Sequence, residues 1–272
     1  MFTDYILLIF DFKLFMRLPI ILFLGLLTGC TSKPESKISN PVFINYAVRA
    51  SFPHDREAFI QGLVIHNGEL YESTGQENSW IGLVDIKTGK VDKKITLDKK
   101  YFGEGITILN NKIYQLTWQN KTGFVYDLNS FELIKGFAYS TEGWGLTHNG
   151  KSLIMSDGTS KLYFLDTMNL QVIKKLEVTY EGKPVTALNE LEFVDGYIYA
   201  NVWQTQWIAK IDSQSGIVKG FLDLAPLVRQ ARLLNPKADV LNGIAWHETT
   251  QLMLVTGKNW PNIYALKLQE PL

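Results

Sequence analysis

Residues 102–118, FGEGITILNNKIYQLTW, carry a pattern of polar and apolar positions that predicts a β-hairpin. Glu104 begins the pattern before a glycine, an apolar run follows over 106–109, and the pair Asn110-Asn111 interrupts that run. A second apolar run then ends at Trp118. β-Branched residues on both sides of a two-residue asparagine turn are typical of two antiparallel strands.

The same pattern recurs four more times along the chain. Each copy has a start, an apolar run, a turn about six residues after the start and a second apolar run. The starts lie 40 to 53 residues apart, at Gln61, Glu104, Trp144, Asn189 and Asn242. About four short strands repeating at this period are typical of a β-propeller blade. The sequence therefore predicts an all-β protein with a five-bladed β-propeller.

Two segments fall outside this repeat. Residues 42–52 alternate like a strand but precede the first copy, whereas the fifth copy has room for only about three strands. We predict that this N-terminal strand completes the last blade, because closing the ring removes two exposed sheet edges. Residues 223–240 carry apolar side chains at helical spacing and predict a short helical insertion before the last blade. That helix would either pack on one face of the disc or form a mobile lid.

Composition excludes a polyanionic partner. The chain has 27 Lys and Arg against 27 Asp and Glu, so it has no net field that would attract nucleic acid or an anionic bilayer. Its 46% hydrophobic and 12% aromatic residues suit one folded all-β domain. We expect a monomer.

Residues 16–30, MRLPIILFLGLLTGC, combine one arginine with an apolar run too short to span a bilayer. They end in Leu-Thr-Gly-Cys30, which fits a lipoprotein cleavage box, although a core or anchor helix with a chance cysteine is the alternative. We therefore expect a signal peptide over 1–29, with Met16 as an alternative start, a lipidated tether over 30–41 and a catalytic propeller over 42–272. The protein would be exported and lipid-anchored at Cys30, at the periplasmic face or outer membrane of a bacterium. Cys30 is the only cysteine, so no disulfide forms within the chain.

The starting positions of the five copies would meet at the centre of a propeller, because the first strand of each blade lines the central channel. A purely structural repeat would place similar residues there, but these positions hold one carboxylate, Glu104, three amides and a tryptophan. The position fourteen residues after the start adds Trp118 and Trp203. Lys258, in the segment TGKNWP, follows the second strand of the last copy and enters the same region.

The chain contains, in this order, the motifs FIQGL, GEGIT, LTW, EGWGL, LNELEF, NVW, LNGIAW and TGKNWP. In order and spacing, these eight motifs resemble the plant and bacterial type of glutaminyl-peptide cyclotransferase. The resemblance covers about residues 43 to 268 and implies a five-bladed propeller that converts N-terminal glutamine of peptides or proteins to pyroglutamate with release of ammonia. It implies no cofactor. The active-site positions that it implies fall on Phe59, Gln61, Glu104, Trp118, Trp144, Asn189, Trp203 and Lys258.

The chemistry of this cyclisation suits the central residues. The substrate's own α-amine attacks its γ-carboxamide, so one carboxylate can accept the amine's proton and return a proton to the departing ammonia. Glu104 is the candidate for both transfers. Gln61, Asn189 and Lys258 offer donors to the oxyanion, and the indoles of the three tryptophans would form the walls of a pocket.

Two other classes of function stay open at this point. Glu104, Asn189 and Asn242 could hold calcium on the axis, as in lactonase-like propeller hydrolases. A propeller that binds without catalysis is the other alternative. Zinc catalysis is disfavoured, because no Cys/His pair has zinc spacing and the four histidines fall at unrelated positions of the repeat: His54, His66, His148 and His247. If the protein is a cyclotransferase, we expect no metal in the site.

Overall fold

The structure is a computed structural model and describes residues 41–269. These residues form five four-stranded antiparallel sheets, one two-stranded hairpin and one short helix. The first strand of each sheet contacts the first strand of the next, and the fifth contacts the first, which closes a ring. The predicted five-bladed propeller is therefore confirmed. The predicted signal peptide, Cys30 and nearly all of the tether lie outside the described residues.

Four of the blades are consecutive runs of four strands. Blades one and two consist of β2 (Ile60–His66), β3 (Glu69–Thr74), β4 (Trp80–Asp85), β5 (Lys90–Thr96), β6 (Gly103–Leu109), β7 (Lys112–Thr117), β8 (Thr122–Asp127) and β9 (Leu133–Ala138). Blade three, a small hairpin and blade four follow as β10 (Leu146–His148), β11 (Ser152–Ser156), β12 (Lys161–Asp166), β13 (Val172–Glu177), β14 (Thr179–Tyr180), β15 (Lys183–Pro184), β16 (Leu188–Val194), β17 (Tyr197–Val202), β18 (Trp207–Asp212) and β19 (Val218–Asp223).

The fifth blade joins the two ends of the described chain. Its strands are β20 (Leu241–His247), β21 (Leu252–Gly257), β22 (Asn262–Gln269) and the N-terminal strand β1 (Asn45–Pro53). β1 pairs antiparallel with β22, from Asn45 opposite Gln269 to Pro53 opposite Asn262. The predicted closure by the N-terminal strand is confirmed. Among residues 41–269, no helix is long and apolar enough to cross a membrane.

The predicted helical insertion is α1, Ala225–Leu234. Leu227 and Ala231 are buried in a hydrophobic cluster that also contains Trp260, so this helix packs on the fifth blade. Leu234, which has the same helical spacing, is 46% exposed at the end of the helix. Just beyond the helix, Asn235 Nδ2 donates a hydrogen bond of 2.8 Å to the carbonyl of Asn259.

The inner strands of four blades begin with a β-bulge. The register of these strands shifts between Ile60 and Gly62 in blade one, and the other shifts lie between Gly103 and Ile106, Leu188 and Leu191, and Leu241 and Ile244. A bulge places two residues opposite one and re-aims a side chain at the strand end. The starting residues Gln61, Glu104, Asn189 and Asn242 all lie within these bulges, and the repeat thereby directs four polar side chains to one end of the axis.

Gly105 shows why the residue after the start is small. A Cβ at this position would lie 2.5 Å from the amide nitrogen of Leu146 in the next blade. The Gly105 amide instead donates a hydrogen bond of 2.7 Å to the Trp144 carbonyl, which joins blades two and three at the axis. Glycine is the residue that permits two backbones to approach this closely.

Candidate active site

A cavity of about 230 Å³ lies at the end of the ring where the inner strands begin. It contains all eight residues that the resemblance implied, and Phe102 is the ninth. Its lining residues are Phe59, Gln61, Phe102, Glu104, Trp118, Trp144, Asn189, Trp203 and Lys258. Residues from four blades and from the turn after β21 therefore converge on one small, largely aromatic space.

Glu104 is the carboxylate of this cavity, and it is only 4% exposed. Gln61 Nε2 donates a hydrogen bond of 3.0 Å to Glu104 Oε1. Asn242 Nδ2 in turn donates to Gln61 Oε1 at 3.2 Å and to the Ile60 carbonyl at 3.0 Å. Asn242 thus fixes which way the Gln61 amide points, and Gln61 holds the carboxylate. Asn242 itself is fully buried and does not line the cavity.

Burial raises the pKa of Glu104 well above its ordinary value of 4.5, because the charged form loses hydration. The positive charge of Lys258 opposes this shift, and the negative charge of Glu142 adds to it. A raised pKa makes the carboxylate a stronger base and leaves the carboxyl group able to return the proton, which is what a group that acts first as base and then as acid requires.

The tryptophans of the wall are tied together by Glu142. Glu142 Oε2 accepts hydrogen bonds from Trp118 Nε1 at 2.7 Å and from Trp144 Nε1 at 2.9 Å. Trp144 also packs edge-on against Trp203, with ring centroids 5.5 Å apart. Paired indole N–H groups and edge-to-face contacts fix the orientation of these rings. The wall is therefore a rigid aromatic surface.

Lys258 lies in the turn between β21 and β22. Its side chain is largely buried, and its Nζ lies 4.6 Å from the centroid of the Phe59 ring. Burial lowers the pKa of Lys258, whereas the charges of Glu104 and Asp239 act in the opposite direction. The ammonium group is thus held by an aromatic face and by the field of two carboxylates.

Asn189 presents a buried amide with an unused acceptor. Its Oδ1 has no hydrogen-bond partner among residues 41–269, although the residue is only 3% exposed. Its backbone carbonyl accepts a hydrogen bond of 2.7 Å from the Ser156 hydroxyl, which fixes the strand beneath it. A buried polar atom that is aimed at a cavity and lacks a partner is typical of a site that a ligand completes.

The sequence reasoning missed Phe102 and the function of Glu142. Phe102 packs edge-on between Phe59 and Trp118, with centroid distances of 6.2 Å and 5.7 Å. Phe59, Phe102 and Glu142 each stand two residues before a starting residue of the repeat. That position was a signal in the sequence, and comparing it across the copies would have drawn attention to Phe102 and Glu142 beside Phe59.

Three of the four histidines occupy related positions, which corrects the expectation from the sequence for those three. His66, His148 and His247 are the last residues of β2, β10 and β20, and all three line a second cavity of about 500 Å³. This cavity lies where the inner strands end, at the other end of the ring from the aromatic cavity. The Nδ1 of His148 accepts a hydrogen bond of 3.0 Å from the Gly150 amide in the adjoining turn.

Metal ligation by acidic, histidine or cysteine side chains finds no support in this geometry. No group of three or more His, Cys, Asp or Glu side chains within the described range could hold a metal ion. His54, the remaining histidine, is buried against Glu72 and lines neither cavity. Amide oxygens can also bind calcium, and Asn189 Oδ1 and Asn242 Oδ1 are both buried without a hydrogen-bond partner in the described chain.

Three comparisons with known proteins, by family profile, by sequence and by structure, all find glutamine cyclotransferases. The sequence profile of the glutamine cyclotransferase family matches residues 21–268. A glutaminyl-peptide cyclotransferase from Arabidopsis thaliana is 44% identical over 227 residues, which cover 82% of this chain and 71% of the relative. The crystal structure of Myxococcus xanthus glutaminyl cyclase superposes with a TM-score of 0.79 at 33% identity, over 85% of this chain and 99% of that one.

Proposed function

This chain belongs to the glutamine cyclotransferase family, and we propose that it cyclises N-terminal glutamine of peptides to pyroglutamate with Glu104 as the proton shuttle. The observation that carries the proposal is the position of Glu104. It is the one carboxylate among the described cavity-lining residues, and it is buried, oriented by Gln61 and surrounded by aromatic rings. A small aromatic cavity with one oriented carboxyl group suits an uncharged side chain next to a basic amine.

The reaction needs one proton to move between two nitrogen atoms. The substrate's α-amine attacks the γ-carboxamide carbon, a carbon–nitrogen bond forms, and the carbonyl electrons move onto oxygen. Ionised Glu104 accepts the proton that the amine releases. When the carbonyl re-forms, the bond to the amide nitrogen breaks, and Glu104 returns the proton so that the nitrogen departs as ammonia. Atoms balance, because one peptide gives one pyroglutamyl peptide and one ammonia.

The other polar residues position the substrate and stabilise charge. The attack is intramolecular, so much of the acceleration comes from holding the bent side chain in place. The Lys258 ammonium group is the cationic donor for the oxyanion that develops on the carboxamide. Asn189 Oδ1, which has no partner among the described residues, would accept a hydrogen bond from the substrate's amine or carboxamide. Gln61 has one of its two amide hydrogens on Glu104, and the second is available to the substrate.

An ammonia-release assay on a Gln-initiated dipeptide amide tests this proposal directly. We expect stoichiometric ammonia and pyroglutamyl product from the chain that begins at residue 31, and none from the matched Asn-initiated peptide, whose shorter side chain would have to close a strained ring. Binding of the Gln peptide without product would instead favour a propeller that binds but does not catalyse.

Chelation separates this function from the calcium-dependent lactonase-like alternative. That alternative has one observation in its favour, because Asn189 Oδ1 and Asn242 Oδ1 are both buried without partners in the described chain. Against it, the charge of Lys258 acts on Glu104, and the Gln61 amide already donates to the carboxylate. We expect turnover of the Gln peptide to survive exhaustive EDTA treatment. Loss of turnover that calcium alone restores would move the assignment to the alternative.

Trp203→Ala should weaken substrate binding. The indole of Trp203 forms a wall of the cavity and packs against Trp144, so its loss opens the pocket and frees the neighbouring ring. We expect the Michaelis constant to rise about tenfold, which corresponds to roughly 1.4 kcal/mol of lost binding, with a smaller change in kcat. Trp80→Ala, outside this cavity, is the control. Equal kinetics in both variants would show that the Trp203 indole does not contact substrate.

We also propose that the protein is exported and anchored by a lipid on Cys30, as the cleavage box at residues 27–30 suggests. Cys30→Ser should move the protein from the membrane fraction to the soluble fraction, while turnover per folded molecule stays the same. Cell fractionation with mass spectrometry of the mature N-terminus measures both. A serine variant that stays in the membrane fraction would contradict the anchor.

A further inference from the structure

His54 and Glu72 form a buried pair outside the cavity, and the reaction as proposed does not use them. Their side chains are 0% and 1% exposed, and His54 Nε2 lies 3.2 Å from Glu72 Oε1. His54 Nδ1 lies 2.8 Å from the carbonyl oxygen of Trp260. A carbonyl oxygen only accepts hydrogen bonds, so Nδ1 carries a hydrogen and Nε2 faces the carboxyl group. The imidazole therefore donates from Nδ1 to Trp260, and its Nε2 lies within ion-pair distance of Glu72 Oε1 without a hydrogen bond of normal geometry.

Trp260 belongs to the turn that carries Lys258. The Trp260 amide donates to the Gly257 carbonyl at 3.1 Å, and Asn259 has a left-handed backbone with φ of 60°. The fully buried Trp260 indole donates to the Asp239 carbonyl at 3.0 Å. This turn is tight, and a displacement of Trp260 is therefore passed to Lys258 two residues earlier.

The segment 54–58 also contacts the turn that carries Lys258 and Trp260. Besides the imidazole bond, the His54 amide donates to the Pro261 carbonyl at 3.0 Å, and the Asn259 amide donates to the Ala58 carbonyl at 2.8 Å. The same segment leads directly into Phe59, whose ring lies under the Lys258 ammonium group. His54 thus stands at the junction of the two loops that supply Phe59 and Lys258 to the cavity.

We infer that His54, oriented by Glu72, is a positioning residue that holds the Lys258 ammonium group in place for catalysis, an inference that rests on the proposed function. Lysine has a long, flexible side chain, so its head is precise only if its backbone and the surface beneath it are fixed. A displacement of about 1 Å at a catalytic group can cost up to about 100-fold in rate.

The electrostatics of the pair agree with this geometry. Burial alone lowers the pKa of His54, but the charge and hydrogen bond of Glu72, the Trp260 carbonyl and the charge of Asp55 outweigh it and leave the pKa raised. The raised pKa favours the protonated ring, in which Nδ1 carries the hydrogen that reaches the Trp260 carbonyl.

Two substitutions separate the two bonds of the imidazole, because the amide of asparagine falls near the position of Nδ1 and that of glutamine near Nε2. His54→Asn keeps a donor for Trp260 and abandons Glu72, so it should lose stability but retain kcat within about threefold. His54→Gln keeps a donor for Glu72 and abandons Trp260, so kcat should fall about tenfold or more. If kcat follows stability in both variants, or the order is reversed, His54 has only a structural role.

A double-mutant cycle with Lys258→Met tests whether the effect passes through Lys258. We expect His54→Gln to lower kcat in the wild-type background and to change it less than twofold when Lys258 is absent. Equal fold-changes in both backgrounds would overturn the inference. Where His54→Gln does not fold, His54→Leu, which fills a similar volume and donates to neither partner, takes its place in the cycle.

Hydrogen exchange of the Asn259 and Trp260 amides gives a readout that needs no activity. Exchange should accelerate in His54→Gln and stay near wild type in His54→Asn. If the wild-type full chain does not cyclise Gln peptides, the proposed function fails, and exchange still decides whether His54 holds the turn. Unchanged exchange in His54→Gln would overturn the inference even in an active enzyme.

Discussion

Glu104→Gln is expected to abolish cyclisation while the propeller and its cavity stay intact. Glutamine has the shape of glutamate and keeps an oxygen that can accept the 3.0 Å hydrogen bond from Gln61. It cannot take a proton from the substrate's amine or return one to ammonia. General acid–base catalysis is typically worth 10²- to 10⁴-fold. Because the same carboxylate would serve both transfers, we expect turnover to fall by about 10⁴-fold, the upper end of that range.

The loss should appear in kcat rather than in the Michaelis constant, because the group acts on the transition state. Glu142→Gln is the matched control, since its amide oxygen can still accept the hydrogen bonds of Trp118 and Trp144. Both variants should have the circular dichroism of the wild type. If Glu104→Gln keeps a tenth or more of wild-type turnover while Glu142→Gln is inactive, the assignment of the proton shuttle to Glu104 is wrong.

The pH profile of the wild type provides a second measurement on the same residue. Glu104 must be ionised to accept a proton, and burial raises its pKa well above 4.5. The acid limb of kcat/KM, which reports groups of the free enzyme, should therefore lie well above pH 4.5. Lys258→Met removes the positive charge that holds this pKa down, so it should move the acid limb to still higher pH.

The repeat in the sequence was sufficient to predict the blades and most of the cavity, because the propeller places equivalent positions at equivalent sites on a ring. Gln61, Glu104 and Asn189 could be grouped from their register alone. Asn242 shares that register but is buried beneath Gln61, since its bulge turns the amide toward the Ile60 carbonyl. Register thus predicts which end of the axis a side chain reaches, but not its depth.

The pair of His54 and Glu72 could not be predicted in this way. His54 lies between β1 and β2 and has no equivalent in the other copies, and its partners come from blade one and from the turn after β21. Contacts between a connecting segment and two distant loops depend on how the ring closes. The histidines at the ends of β2, β10 and β20 do occupy equivalent positions, but the sequence did not show it. They lie four or five residues after the start of their copies, and this difference in spacing hid their common position.

Glu190→Ala is expected to cause the largest loss of stability among these variants. Glu190 is fully buried, and its carboxyl oxygens accept hydrogen bonds from the Leu63 amide at 3.2 Å and the Ile244 amide at 2.8 Å. One side chain of blade four therefore satisfies backbone donors of blades one and five. A buried donor without a partner costs about 1–3 kcal/mol, so two orphaned amides should cost roughly 2–6 kcal/mol. That is a large part of the 5–15 kcal/mol that is typical of a whole protein.

Chemical denaturation measures this loss, with Glu132→Ala at an exposed position as the control. Glu190→Gln should cost less, because it keeps one acceptor oxygen.

Glu190→Gln should also change the pH dependence of stability. Burial and the neighbouring charge of Glu192 raise the pKa of Glu190 well above 4.5, so the folded state binds a proton that the unfolded state releases. Wild-type stability from this group is then greatest below pH 4.5 and falls as pH rises toward the raised pKa, by up to about 1.4 kcal/mol per pH unit. The glutamine variant lacks that slope, so the stability difference between the two proteins should shift in its favour as pH rises. A difference that does not change with pH would mean that folding does not raise the pKa of Glu190. An alanine variant as stable as Glu132→Ala would mean that the two amides find other partners.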